Sequence, residues 1–349
     1  MKKLLGIFLF LVLLYGLMLF KTDPERWASN HFNLGQRIGL SGILCLGAGV
    51  LIITGGVDLS IGSVVGLCAC VFCVLVLDAK LPVPVAALLT LVVGAAVGLI
   101  NGLIVTYLRV QAFVVTLCGL FIYRGAARWV TRDQTPPMRA SIVDLHEFFT
   151  GDLLGVSIYL WVLLGLFAVT TVFLHLTVYG RYFLAIGSNE RAVRYSGIHV
   201  DLYKIMAYVL CSTFAAIYAL MHVVHEISVR PSETGNLLEL YAIAGAVLGG
   251  CSLRGGEGTT VGMLIGTAIL VLLPNLTNMW GIRSELDFTV VGGALLACAV
   301  LDEQLRRGFS WRDFFVGLWR RFGWRGVLAV ALVVALAVFR YGQVQGWFD

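Results

Sequence analysis

Apolar runs separated by short polar intervals organise the whole chain. The first, Leu4 to Phe20, follows Lys2 and Lys3 and leads into KTDPER with no small-residue cleavage site. That outline predicts an uncleaved first helix whose N-terminus stays inside. Further apolar segments lie at 38–54, 60–77, 83–107, 110–130, 158–178, 204–225, 239–251, 260–280 and 286–301. Several approach the ~20 residues that carry a helix across ~30 Å of hydrocarbon, while 239–251 is short and 38–54 marginal. Short spans persist inside a bundle, where protein or a water-filled cavity satisfies the backbone. The pattern predicts about ten crossings, with 22–37 as a polar external connection and Arg132 to Gly155 as a polar external loop.

An even number of crossings returns both ends of this core to the inside. The polar island 180–201, GRYFLAIGSNERAVRYSGIHVD, then falls inside, as does a tail rich in arginine (Arg306, Arg307, Arg312, Arg320, Arg321 and Arg325). Both agree with the preference for basic residues on the cytoplasmic side. Within the island, Ser188 or Asn189 can cap a helix N-terminus with a side-chain oxygen, and Gly197 suits the left-handed residue that closes one. The island reads either as a solvated loop or as a short helix outside the bilayer, with small residues at its surface.

Composition fixes the class. With 349 residues, 59% of them hydrophobic and 13% charged, and a mean hydropathy of +0.91, the chain reads as a polytopic membrane protein. No extramembrane stretch reaches the ~50 residues of a separate domain. The net charge of +5 reflects basic membrane flanks, and no basic and aromatic cluster points to nucleic acid. The eight cysteines (Cys45, Cys68, Cys70, Cys73, Cys118, Cys211, Cys251 and Cys298) sit in or beside apolar segments, so structural disulfides are not expected.

Two glycine-rich breaks interrupt the spans: TGGVDLSIGS, 54–63, and LGGCSLRGGEGT, 248–259. Side by side, Gly55 matches Gly249, Gly56 matches Gly250, Leu59 matches Leu253 and Gly62 matches Gly256. Paired breaks of this kind expose backbone groups to a passing polar solute and point to a translocation site. Asp58, a carboxylate near membrane depth, either faces that route or caps the next helix with help from Ser60. Asn101 is a second candidate for the pathway, or bonds a neighbouring helix. Arg124 and Arg128, one turn apart, are expected to snorkel at the external end of their span. His222-x-x-His225 beside Glu226 has metal-compatible spacing, yet such clusters are more often interfacial, and no metal site is expected. The phosphate-loop, nucleophile-elbow and zinc-protease motifs do not occur, so neither ATP binding nor catalysis is expected on this chain.

ITGGVDLSIGSVVGL, NGLIVTYLRVQAFVVTLCGLFIYRG, GRYFLAIGSNERAVRYSGI and the run beginning AIAGAVLGGCSLRGGEGTTVGMLIG together resemble the ribose-type sugar permease family of bacterial ABC importers. The resemblance covers roughly residues 38 to 305. It implies a non-catalytic inner-membrane subunit with ten helices, paired with an identical or similar permease, that forms the path for a monosaccharide or similar polar solute. A periplasmic or extracellular solute-binding protein would deliver the solute. Two ATPase subunits, which bind the ATP and magnesium, would drive the cycle, so no cofactor is expected here. Gly180, Arg181, Ala185, Gly187, Asn189, Ala192, Ser196 and Gly197 match the family's coupling helix, within a coupling loop at 180–203. The pathway candidates are Gly55, Gly56, Asp58, Asn101, Gly249 and Gly250.

The expectation is thus an all-α polytopic protein with a permease domain over 1–305 and a C-terminal extension over 306–349. The extension departs from the family: Trp311, Trp319 and Trp324 among arginines read as an interfacial helix, followed by an apolar run, 326–339, that either crosses or lies re-entrant. The alternatives are a branched-chain amino acid permease and a secondary transporter that needs no ATPase. A membrane enzyme is disfavoured by the missing catalytic cluster.

Overall fold

A computed structural model describes residues 2–300 apart from 23, 24, 26, 282, 284, 285, 288, 295 and 297–299. The expected extension from 306 onward and Cys298 lie outside the described residues. The chain forms two compact units, 1–293 and 294–349, and the named elements all belong to the first. They are α1 (Lys2–Lys21), α2 (Trp27–Ile53), α3 (Ile61–Leu77), α4 (Val83–Tyr107), α5 (Ala112–Val130), α6 (Arg139–Thr150), β1 (Asp152–Leu153), β2 (Val156–Ser157), α7 (Ile158–Thr171), α8 (Val178–Tyr195), α9 (Val200–Glu226), α10 (Leu238–Leu248) and α11 (Thr260–Met279). A π-helical turn, Val172–Leu176, prolongs α7. The protein is all-α and polytopic: 7 of the described helices, the π turn counted with α7, are long and apolar enough to cross a membrane, and α3 and α10 are shorter apolar helices. The last expected span, 286–301, falls on residues described only in part.

Three connections differ from the sequence expectation. Helix α2 starts at Trp27, well before the apolar run, because its polar first turns find partners on neighbouring helices. Asn275 Nδ2 donates to Asn30 Oδ1 at 3.0 Å, and the Tyr15 hydroxyl lies 2.7 Å from His31 Nε2. The loop between α5 and α7, expected to be external, folds locally into α6 and the short β1–β2 hairpin. The third is the polar island, where helix begins at Val178, ahead of the expected cap.

The core is built around α9, which packs along α4, α2 and α3. The α4–α9 seam is lined by glycines at every fourth position. A Cβ at Gly94, Gly98 or Gly102 would strike the Ser212 carbonyl, the Tyr208 carbonyl or the Ile205 Cα. This small-x-x-x-small spacing lets two backbones approach and gain dispersion contacts that lipid would not supply. Asn101 precedes Gly102 in the same continuous helix.

Helix α10 has 11 residues, about 16 Å of rise, half of the ~30 Å hydrocarbon layer. The chain enters it through 227–237, which leaves α9 at left-handed Ile227 (φ 55°) and reaches Gly235 against the start of α3. Thr234 and Gly235 of this connection are buried, while Arg230 and Glu233 form an exposed ion pair on it.

Candidate functional site

Both glycine-rich breaks end their helices in the same way. Gly55 N–H donates to Ile52 O and Gly56 N–H to Leu51 O; Gly250 N–H donates to Val247 O and Cys251 N–H to Ala246 O. This paired closure needs a left-handed residue, supplied by Gly55 (φ 82°) and Gly250 (φ 95°). The structural counterpart of Gly55 is therefore Gly250, one residue off the match made from sequence. Gly249 serves packing instead, its Cα lying against the Gly262 carbonyl of α11.

The two breaks meet. Gly256 N–H donates to the Ile53 carbonyl at 2.8 Å. Helix α8 joins them at Gly187, where a Cβ would collide with Ile53 O and Gly256 N. A Cβ on Gly255 would in turn sit 2.9 Å from the Cα atoms of both Gly187 and Gly55. Three glycine-bearing segments thus touch backbone to backbone, and any side chain there would separate them.

Helix α8 bends at this contact. Asn189 leaves helical geometry (φ −155°, ψ 89°) and its Oδ1 accepts from Ala192 N at 3.1 Å, so it caps a second short helix. Gly197 (φ 82°) closes that helix, as its sequence suggested. The eight residues matched to the coupling helix divide by position. Gly180 is buried against Leu174, Gly187 against the breaks and Ala185 are half-buried, and Arg181, Asn189, Ala192, Ser196 and Gly197 are exposed. An ionic clamp holds the short helix to α9. Lys204 Nζ lies 2.6 Å and Arg194 NH2 3.1 Å from the Glu190 carboxylate, while Arg194 grips Asp201 through two bonds of 3.0 and 2.7 Å. Burial pushes the Glu190 carboxyl upward, but Lys204 and Arg194 outweigh it and hold the group below its ordinary value. Val193 and Val200 pack together beneath the clamp.

On the α3 side of the junction, a buried polar chain begins at Asp58. Its Oδ1 accepts from the Ser60 N–H at 2.7 Å and from the Ser60 hydroxyl at 2.5 Å. Asn101 Nδ2 donates to Ser60 Oγ at 3.1 Å, and the Tyr123 hydroxyl donates to Asn101 Oδ1 at 2.7 Å. The start of α3 is thereby pinned to α4 and α5. Asp58 and Asn101 are each 1% exposed, and Asp58 Oδ2 has no hydrogen-bond partner. Asp58 thus orders the approach to α3 through Ser60, as the capping reading expects, while its second carboxylate oxygen has no partner among the described residues.

Sequence reasoning missed several partners. Arg124 does not snorkel: it reaches into the bundle and donates to the Thr234 carbonyl of the 227–237 connection. Arg128, by contrast, pairs with Asp133 near the surface. Glu239, 8% exposed in the first turn of α10, sits against Gly62, and nothing in its local sequence marked it. The GxxxG-like spacing around Asn101 and the tyrosine at 123 were legible signals that went unused. His222 stacks on Tyr218 and His225 meets Tyr159 edge-on, as interfacial aromatic partners.

Residues 31–300 match the family described as branched-chain amino acid transport system / permease component. The chain belongs to this permease family. It is similar to the ribose import permease protein RbsC of Escherichia coli (strain K12), 37% identical over 281 residues, 79% of this chain and 86% of that one. The autoinducer 2 import system permease protein LsrC of Yersinia enterocolitica is 33% identical over 264 residues, 76% and 72% of the two chains. The corresponding LsrC of Salmonella paratyphi B is 34% identical over 265 residues. No solved structure matches the chain. Membership makes the protein a transport permease component, a class of non-catalytic multi-pass membrane subunit.

Proposed function

We propose that this chain is the membrane subunit of an ATP-driven importer for a monosaccharide or similar small polar solute, resident in the bacterial inner membrane with its N-terminus in the cytoplasm. The names of the ribose and autoinducer 2 permeases support the solute class, over the amino acids in the family's description. ATP and magnesium would bind separate ATPase subunits, a periplasmic or extracellular binding protein would deliver the solute, and a second permease would complete the path.

The observation that carries the reading is the contact of Gly187 with both breaks. A partner pressing on the exposed face of 190–197, including Ala192, Ser196 and Gly197, would act on a helix that Gly187 seats directly on the breaks and Gly180 packs against Leu174. Packed helices transmit such thrusts as rigid-body shifts. Displacement of Gly55 and Gly56, or of Gly249 and Gly250, would then reposition Asp58 and Asn101 along the solute route. On this reading 1–305 forms the permease domain, with 306–349 as an appendage.

The experiment measures radiolabelled sugar uptake into vesicles containing the binding protein, with the chain co-expressed with its candidate ATPase. Arg191→Glu combined with Ala192→Trp should abolish uptake and ATPase co-purification while the permease stays folded in the membrane. Uptake that continues unchanged without any ATPase sinks the proposal and returns attention to Asp58 as an ion-coupling group.

A further inference from the structure

Away from the glycine junction, a groove of about 270 Å³ opens over the start of α10, between α2, α9 and α11. Its wall is predominantly apolar, formed by Leu40, Leu44, Leu238, Ala242, Leu270 and Val271. It exists because α10 is a half-length helix, so no side chains fill the space a full span would occupy. Pro274 also lines it, where the missing N–H removes one backbone bond of α11.

A single cation stands among the groove's lining residues. Arg37 is exposed and makes no ion pair among the described residues. Between Arg37 and Ile53, α2 rises about 24 Å, most of the ~30 Å of hydrocarbon. With the glycine junction at one surface, the guanidinium stands near the headgroup level of the other. Two of the polar groups deeper in the groove are engaged, and the Ser41, Tyr218 and Tyr241 hydroxyls also line it. Thr267 Oγ donates to Met263 O at 2.9 Å, and Cys45 Sγ points to the same carbonyl.

We infer that this groove binds an anionic phospholipid, its phosphate on Arg37 and one acyl chain laid along Leu44, Ala242, Leu270 and Val271 over the start of α10. Apolar walls suit the chain, because burying methylene groups between protein side chains fills a gap that would otherwise lose dispersion contacts. The planar guanidinium suits a phosphate through paired hydrogen bonds. A lipid seated there would bear on α10, the helix that leads into the second break.

The test uses the full-length chain, delipidated in detergent and titrated with phosphatidylglycerol or phosphatidylcholine, with bound lipid counted by native mass spectrometry. One phosphatidylglycerol per chain should bind about tenfold tighter than phosphatidylcholine, a difference of ~1.4 kcal/mol. Arg37→Gln should reduce that preference to within about twofold, Arg109→Gln should leave it intact, and Val271→Phe should lose both lipids at the site. Equal binding of the two lipids by the natural chain overturns the inference, as does a preference that survives Arg37→Gln. One-for-one displacement of the lipid by ribose would also overturn it, since the groove would then belong to the solute.

Discussion

Gly256 donates its backbone N–H to the carbonyl of Ile53 at 2.8 Å, binding the end of α2 to the loop that enters α11. No side chain makes this contact, so it cannot be deleted by truncation. It can only be wedged apart, and Gly187 is where the wedge would go.

Gly187→Ala should therefore destabilise the protein by about 1–3 kcal/mol, the usual range for overpacking a close contact, because both colliding atoms are backbone. Gly165→Ala in α7 is the matched control, since its Cβ would meet open space, and helix propensity favours it by up to ~1 kcal/mol. Thermal unfolding in detergent distinguishes them. Equal melting temperatures for the two variants would mean that α8 does not lie on the breaks.

The clamp on the short helix predicts a charge-swap rescue. Glu190→Lys places three cations together and should loosen 190–197 from α9; adding Lys204→Glu restores one pair and should recover most of the loss. Exposed pairs contribute only about 0.2–1 kcal/mol each, so the sensitive readout is amide exchange across 190–197 rather than melting. The pH dependence has a definite sign. Because the folded Glu190 carboxyl is held below its ordinary value of 4.5, the clamp's contribution is complete above that value and fades as pH falls through the lower folded one. Exchange across 190–197 that is unchanged on acidification below pH ~4 would show that the ion pairs do not hold the helix.

The buried chain from Asp58 to Tyr123 predicts unequal losses. Tyr123→Phe removes one donor and should cost about 0.5–1.5 kcal/mol; Asn101→Ala strands partners on both sides and should cost more, about 2–4 kcal/mol. Their double variant should fall short of the sum, because both act on one network. Asp58→Asn keeps an oxygen for Ser60 and should retain the fold better than Asp58→Ala. Strict additivity of the Asn101 and Tyr123 effects would show that the hydrogen bonds are not shared.

Much of this architecture was legible in the chain, and the failures have physical causes. Apolar runs announced α1, α4, α5, α7, α9 and α11 because a membrane span must be apolar over its length. They misjudged α2, whose first turns carry Asn30 and His31, since polar helical residues are satisfied by other helices that periodicity does not reveal. Gly55 and Gly197 were readable as left-handed positions, and Asn189 as one of two caps, because capping is local chemistry. The pairing of Gly55 with Gly249 failed by one residue: sequence similarity aligned the glycines, whereas the backbone aligns the residues with positive φ. Glu239 and Thr234 carried no local signal, since their importance comes from what α3 and α5 bring to them.

Arg124 supplies the sharpest test of how 227–237 is held. Its guanidinium donates to the Thr234 carbonyl, and the space for it exists because residue 66 is glycine: a Cβ there would sit 2.9 Å from that carbonyl and 3.0 Å from the guanidinium. Arg124→Met removes a charged hydrogen bond, a loss of about 1.5–3 kcal/mol, and should raise amide exchange at Thr234 to Asn236 before it affects α5. Gly66→Val should give the same local signature by pushing the carbonyl away with Arg124 intact. Since both act on one contact, the double variant should exchange little faster than either alone. Two independent, additive increases would mean that Arg124 and Gly66 hold different parts of the bundle, and that 227–237 is kept in place by something other than this bond.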